Sequence, residues 1–143
     1  MPAELRWLTA SDAGAVEAII AAGELFDNPV AADQAREFLS RDGHHLCIGY
    51  LAGEPVGFVS GVELNHPDKG SEMLLYELGV DPRRRGRGIG RQLVLALVEL
   101  ARERGCYGIW TLTELDNEAA IASYRSAGLS SRGSYLMLDH EFG

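Results

Sequence analysis

EMLLYELGVDPRRRGRGIGRQL, residues 72–93, is the stretch on which the fold turns. Its first nine residues form a nearly continuous apolar run, the pattern of a strand buried on both faces of a sheet, and Asp81 and Pro82 close it. From Ile89, the residues Ile89, Leu93, Leu97 and Leu100 recur at helical spacing, widened by Val94, Ala96 and Val98, until Gly105 ends the helix after about Arg104. Between the two elements lie Arg83, Arg84, Arg85, Arg87 and Arg91, interleaved with Gly86, Gly88 and Gly90. A strand that delivers a glycine-rich turn straight into a helix presents converging free amide N–H groups and the positive end of a helix dipole, which together favour an anion. Glycine lets a ligand approach the backbone, and guanidinium groups supply charge-assisted, often bidentate hydrogen bonds to phosphate oxygens. The ligand this stretch predicts is a polyphosphate.

The rest of the composition sharpens that reading. The chain has 143 residues and a formal net charge of -8, so the arginines of this loop stand out against an acidic background that repels polyanions elsewhere. Gly86, Gly88 and Gly90 alternate and so miss the dinucleotide fingerprint, and the loop lacks the Lys-Ser/Thr end of a nucleotide P-loop. RNA or other nucleic acid is disfavoured as a partner, because the basic residues sit in one loop without interleaved aromatics. No apolar run approaches the ~20 residues of a membrane-spanning helix, and MPAELRWLTASD has none of the features of a secretory signal, so a soluble, cytoplasmic protein without membrane partners is expected. Cys47 and Cys106 lack the spacing of a metal knuckle or redox pair and read as core thiols; His44, His45, His66 and His140 show no ligand spacing, so no metal is expected. Length and the lack of linkers argue for a single domain over residues 1–143.

Working outward, a short strand is expected over Leu5–Leu8, then a helix capped by Ser11 or Asp12 with Ala15, Val16, Ile19 and Ile20 on its apolar face, stopping at Gly23. A second helix spans about Val30–Ser40 and buries Ala35, Phe38 and Leu39. Residues 45–51 and 56–64 read as a hairpin joined through AGEP, and the polar segment 65–71 leads to the strand at 72–80. After the long helix, residues 107–115 return as a strand, 117–128 form a helix capped by Asn117, and a last strand covers about Ser134–Phe142. Strand, glycine-rich loop, helix, strand implies a right-handed crossover between parallel strands, hence a mixed α/β class. Trp7, Phe58 and Trp110 read as core.

Arg85-Gly86-Arg87-Gly88-Ile89-Gly90 resembles the Arg/Gln-x-x-Gly-x-Gly/Ala signature of the GNAT N-acetyltransferases, and Asn117, Ala120, Tyr124 and Gly128 resemble that superfamily's Asn-x-x-Ala-x-x-x-Tyr-x-x-x-Gly helix. The likeness covers nearly the whole chain. It implies the acyl-CoA N-acyltransferase fold, a mixed sheet with a splayed parallel pair flanked by about four helices, and acetyl-CoA as co-substrate. Its diphosphate would lie on residues Arg85 to Arg91 and its pantetheine between the splayed strands, against the backbone of Leu78, Gly79 and Val80, with Asn117 near the arm. LSRDGHHL, LLYELGV, RGCYGIW and YLMLDHEF look most like the aminoglycoside 3-N-acetyltransferases, which implies antibiotic modification.

Acetyl transfer to an amine needs a base for the amine, donors for the thioester oxygen and a proton for the leaving thiolate. Glu77 in the core strand is the expected base, its pKa raised by burial, with Glu72 and Glu63 in reserve. Amides of Leu78 to Val80 are the expected donors to the oxygen, and Tyr124, two helical turns after Asn117 on the same face, is the expected acid. Glu24, Asp27 and Glu114 are candidate ligands for an ammonium-rich, small-molecule amine. A peptide amine or a small metabolite is the second candidate acceptor, and a CoA-binding sensor without turnover is the third reading. Strand edges near the last strand would allow a homodimer.

Overall fold

The structure, a computed structural model, describes residues 2–143. β1 (Glu4–Leu8) is followed by α1 (Ala15–Ala21), a 3-10 turn (Gly23–Leu25) and α2 (Ala32–Ser40). Three long strands come next, β2 (His44–Leu51), β3 (Glu54–His66) and β4 (Gly70–Val80). A 3-10 turn (Pro82–Arg84) then leads to α3 (Ile89–Glu103), β5 (Ile109–Trp110) and α4 (Glu118–Ser126). The sheet order is β1-β2-β3-β4-β5, antiparallel throughout except for the parallel β4–β5 pair that α3 connects. This is the mixed α/β class that the strand, loop and helix at 72–93 imply.

Alternation along the strands places a core on each face of the sheet. In β2, Leu46 and Ile48 pack with Ile19, Ala35 and Phe58 under α1 and α2, whereas Cys47 between them joins Val59, Met73, Leu93 and Leu97 under α3. Gln92 ties the chain's start to α3, its amide donating to the Ala3 carbonyl (2.6 Å) and accepting from the Ala3 N–H (3.0 Å).

Close approach of α3 depends on glycines in the sheet. A Cβ on Gly61 would stand 2.7 Å from Leu97 Cδ1 and 2.9 Å from Met73 Sδ, both of which are fully buried and have nowhere to move. Gly61→Ala is therefore expected to overpack the core and cost about 1–3 kcal/mol, read as a lower urea midpoint at unchanged slope.

Several expectations are corrected. α1 has no Ser11 or Asp12 cap: Gly14, in the left-handed region at φ 87°, precedes it, and Asp12 Oδ2 instead accepts from Thr9 N (3.0 Å). The polar segment 65–71 is largely sheet, because the β3–β4 ladder runs on to the His66–Gly70 pair and Asn65 Nδ2 donates to Ser71 Oγ (2.7 Å). The strand expected over 107–115 shrinks to two residues. Its ladder with β4 ends at Leu74–Trp110 because β4 carries a bulge just beyond: Ser60 faces Glu77 while Gly61 faces Leu75, leaving Tyr76 as the extra residue. Trp110 is 37% exposed on this edge and is not core. The run 134–142 forms no strand, since in a single copy it pairs with no sheet edge, and its apolar side chains are exposed.

Candidate functional site

The bulge builds the site. Once β4 bends at Tyr76, β5 cannot follow, and the parallel pair splays from Leu75 onward. One side-chain bond replaces the lost rung, Thr111 Oγ1 donating to the Leu75 carbonyl (2.8 Å). On the other side of the bulge the hydroxyl of Ser60, 2% exposed, accepts from the Glu77 N–H (3.1 Å) and pins the carboxyl-bearing residue in place. Beyond Leu75, β4 has no strand partner on its β5 side, where the sequence assigned an extended arm against Leu78, Gly79 and Val80; of these, Leu78 and Val80 present their backbone to that edge, whereas Gly79, in register with Phe58, faces β3. Gly79 is needed for packing as well: a Cβ there would meet Phe58 Cε1 at 2.6 Å and the Leu25 carbonyl at 2.9 Å.

At the end of β4 the chain turns through Asp81 to the glycine-rich loop. Gly86 (φ 80°) and Gly88 (φ 78°) both occupy the left-handed region, with open space where a side chain would stand. Gly88 caps α3 without any side-chain cap, so the first amides of the helix, on Ile89, Gly90 and Arg91, remain available to a ligand. Gly90 has a second reason to be glycine, since a Cβ would lie 2.4 Å from Ser123 Oγ across the α3–α4 contact.

The five arginines divide by task. Arg83 pairs with Asp81 (3.0 Å), Arg84 with Glu54 (3.4 Å), and Arg91 Nε donates to the Ser126 carbonyl at the end of α4 (3.1 Å). Arg91, expected as a phosphate ligand through its guanidinium, thus spends that group on holding α4. Arg85 and Arg87 are exposed and make no ion pair among the described residues. The cationic density left for an anion is theirs.

On the α1–α2 side of β4 lies a cavity of about 230 Å³. Asp27 and Glu77 reach it, with Ser60, Asn28 and Gln34 as its other polar members and Phe26 and Phe38 among its apolar walls. Phe26 stacks on Phe58 at 4.1 Å between ring centroids, which anchors the Asp27 loop over the sheet. Among the described residues no cationic side chain lines the cavity. Although Glu77 is exposed as a residue, desolvation of its carboxyl, reinforced by the negative charge of Asp27, raises its pKa above the ordinary carboxylate value.

The other acidic candidates are elsewhere. Glu24 lines a separate cavity of about 380 Å³ beside Asp81 and Arg83, away from Asp27 and Glu77. Glu114 is exposed in the loop after β5, lines neither cavity, and offers its backbone carbonyl to Asn117 N (3.1 Å). Glu63 accepts from His45 and from Arg104 Nε (2.8 Å); desolvation pushes its pKa up, but those bonds and charges outweigh it and the net shift is downward. Glu72 accepts from the Tyr107 hydroxyl (2.6 Å) and pairs with His66 (3.1 Å), which lowers its pKa. Both reserve bases are thereby committed as ionised structural acceptors at the far end of the β3–β4 hairpin.

Tyr124, the buried residue of α4, is 9% exposed and packs into the core cluster beneath α3. Burial raises its pKa, against a smaller opposing pull from Thr111, so the phenol holds its proton at neutral pH. Asn117 Oδ1 accepts from Ala120 N (3.3 Å), the helix cap read from the sequence. Cys106 is no activated nucleophile, for burial and then Glu63 raise its pKa, and Cys47 is pushed up to about 12 by burial. Sequence reading missed Ser60 and Thr111. The only hint of Ser60 was a small hydroxyl inside an otherwise apolar strand, and Thr111 gave none.

Residues 9–129 match the family model described as the acetyltransferase (GNAT) family. The chain belongs to that family. Among curated GNAT relatives, N-acetyltransferase 8 of Rattus norvegicus is 30% identical over 107 residues, which cover 74% of this chain and 48% of the relative. Mycothiol acetyltransferase of Amycolatopsis mediterranei (strain U-32) is 34% identical over 113 residues, 76% of this chain and 36% of the relative. The chain spans about half the length, or less, of the curated relatives it matches. Among solved structures, an aminoglycoside acetyltransferase from an uncultured soil metagenomic sample, in complex with sisomicin, superposes with a TM-score of 0.87 at 16% identity, over 99% of this chain and 97% of its own. A second aminoglycoside acetyltransferase from an uncultured soil metagenomic sample reaches 0.79 at 26% identity, over 99% of this chain and 100% of its own. The GNAT fold is thus shown along the chain. Among the described residues no helix is long and apolar enough to cross a membrane.

Proposed function

We propose that this GNAT protein transfers the acetyl group of acetyl-CoA to a primary amine carried by a small, polycationic acceptor. The observation that carries the acceptor half is the cavity where Asp27 and Glu77 meet, with no cationic side chain among the described residues on its walls. Two carboxylates facing one cavity attract ammonium groups, and the raised pKa of Glu77 suits it to take a proton from the attacking amine.

The donor half rests on the loop and the splay. Gly86, Gly88, the first α3 amides and the unpaired Arg85 and Arg87 fit a diphosphate, and the open backbone edge of Leu75 to Val80 fits the amide-bearing arm that follows it. Acetyl-CoA supplies the activated thioester. Within this chain, the N–H groups of Leu78 and Val80, which point away from β3, are the donors to the thioester oxygen, while Gly79 between them pairs with Phe58 of β3, and the protonated Tyr124 hydroxyl is the acid for the departing sulfur. Structural neighbours that act on aminoglycosides support an aminoglycoside as the acceptor class; they include a 6'-N enzyme in complex with CoA as well as the two metagenomic ones.

A thiol-release assay with acetyl-CoA tests this reading. Turnover is expected with aminoglycosides and polyamines and not with acidic amines, and aminoglycosides blocked separately at the 3- and 6'-amino groups report the position. Turnover confined to peptide α-amines would overturn the acceptor class, and acetyl-CoA binding without turnover of any amine would leave only a sensor.

A further inference from the structure

Thr111 stands where β5 gives out while β4 runs on. The parallel ladder ends at Leu74–Trp110, so Leu75 and Thr111 would be the next pair in register. At that point a side chain replaces the backbone rung, Thr111 Oγ1 donating to the Leu75 carbonyl at 2.8 Å. Leu75 is 1% exposed, which makes this bond costly to leave unmade.

The same hydroxyl has a second neighbour. Leu75 and Tyr124 belong to one buried cluster, and beyond burial itself the group that acts on the Tyr124 phenol is Thr111, through a hydrogen bond. Its effect is to lower the phenol's pKa, so the bond favours the ionised oxygen. A threonine hydroxyl carries a single hydrogen and two lone pairs. In the resting protein that hydrogen is directed at Leu75. A phenolate is the stronger acceptor, because hydrogen bonds to an ionised group are about twice as strong as neutral ones. Once Tyr124 has given up its proton, the Thr111 hydrogen is drawn to it.

We propose that Thr111 is a positioning residue for the acid step, turning its one hydrogen from the Leu75 carbonyl to the Tyr124 oxygen as Tyr124 protonates the departing sulfur, a role that rests on Tyr124 being that acid. The step balances within the site. The C–S bond breaks with its electron pair on sulfur, the phenolic proton moves to sulfur, and Thr111 keeps its own proton and only redirects it. The phenolate regains a proton from solvent before the next turnover. Among the described residues no charged side chain acts on Tyr124, so the Thr111 hydroxyl is what offsets the charge left on the phenolate, in a core where such a bond is stronger than in water.

Two substitutions separate the hydroxyl from the shape. Thr111→Val keeps the β-branched outline that suits an extended segment and removes the hydroxyl, whereas Thr111→Ser keeps the hydroxyl. Thiol release from acetyl-CoA gives kcat. The titration midpoint of Tyr124 is read without any reaction, by fluorine NMR of the whole chain carrying fluorotyrosine, with the signal assigned by its loss in Tyr124→Phe. Thr111→Val is expected to lower kcat roughly 10- to 100-fold, the worth of one hydrogen bond to a charged group, with KM for acetyl-CoA nearly unchanged and the Tyr124 midpoint moved upward. Thr111→Ser should hold both near the wild type. In a Tyr124→Phe background Thr111→Val should cost nothing further, since a residue that acts through another loses its effect when that one is gone. An unmoved Tyr124 midpoint in Thr111→Val overturns the proposal. So does a Thr111→Val loss of equal size with and without the Tyr124 hydroxyl, which would mark Thr111 as a clamp on the splay and nothing more. Full kcat in Tyr124→Phe is a different failure: it removes the acid itself, and the role of Thr111 falls with it.

Discussion

Glu77→Gln is expected to lower kcat by roughly 10²- to 10⁴-fold, the range a positioned general base contributes. The substitution preserves shape and the backbone N–H that donates to Ser60, so folding and the bulge remain. What disappears is the carboxylate of the residue that the bulge pins, which lines the cavity beside Asp27. The pH profile separates base from mere ligand. Desolvation, and then Asp27, raise the pKa of Glu77, and the active form is the ionised one. Activity should therefore climb with pH along an acid limb lying above the ordinary carboxylate range, and Glu77→Gln should abolish that limb. Asp27→Asn removes the second cause and should move the limb toward lower pH without erasing it, while raising KM for a cationic acceptor. Tyr124→Phe, by contrast, should lower kcat and leave the limb in place. An unchanged kcat and limb in Glu77→Gln would show that the proton leaves by another route.

Arg85→Ala combined with Arg87→Ala is expected to raise KM for acetyl-CoA about 100-fold with kcat nearly unchanged. Each charge-assisted hydrogen bond to a phosphate contributes about 1.5 kcal/mol or more, and two together come to about 3 kcal/mol. Such contacts are the same in the ground and transition states, so their loss appears in KM. Arg83→Ala serves as the internal control: Asp81 already holds that guanidinium at 3.0 Å, so its removal should change KM far less despite the identical charge. Raising the salt concentration should weaken acetyl-CoA binding in the wild type and do so less in the double variant, since exposed charges are screened. Equal effects from Arg83 and from the Arg85–Arg87 pair would mean that the loop acts only as a diffuse positive field.

How far the site was legible in advance differs residue by residue. The glycine-rich loop and the α3 stripe are local: φ preferences, helix periodicity and dipole direction act over a few residues and can be read off the chain. The cap of α4 by Asn117 is of the same kind. The division of labour among the arginines was illegible, because the partners of Arg84 and Arg91 are 30 and 35 positions away in sequence. The acidic residues show the contrast best. Glu63, Glu72 and Glu77 all lie on two adjacent strands and look alike as letters, yet two are held ionised by His45, Arg104, His66 and Tyr107 while the third faces a cavity beside Asp27. Glu24 and Asp27, three residues apart, open into different cavities.

Residues 72–93 alone determined the class of fold and the glycine-rich entry to α3, because a buried strand, a glycine turn and an amphipathic helix are each encoded by neighbours in the chain. Tertiary structure alone decided where the parallel pair opens, which carboxylate stands at the opening, and that the run at 134–142 lacks a partner in its own copy. Those outcomes depend on register and edges: one extra residue at Tyr76 shifts the β3–β4 ladder, stops β5 after Trp110, and leaves a sheet edge that local sequence has no means to announce.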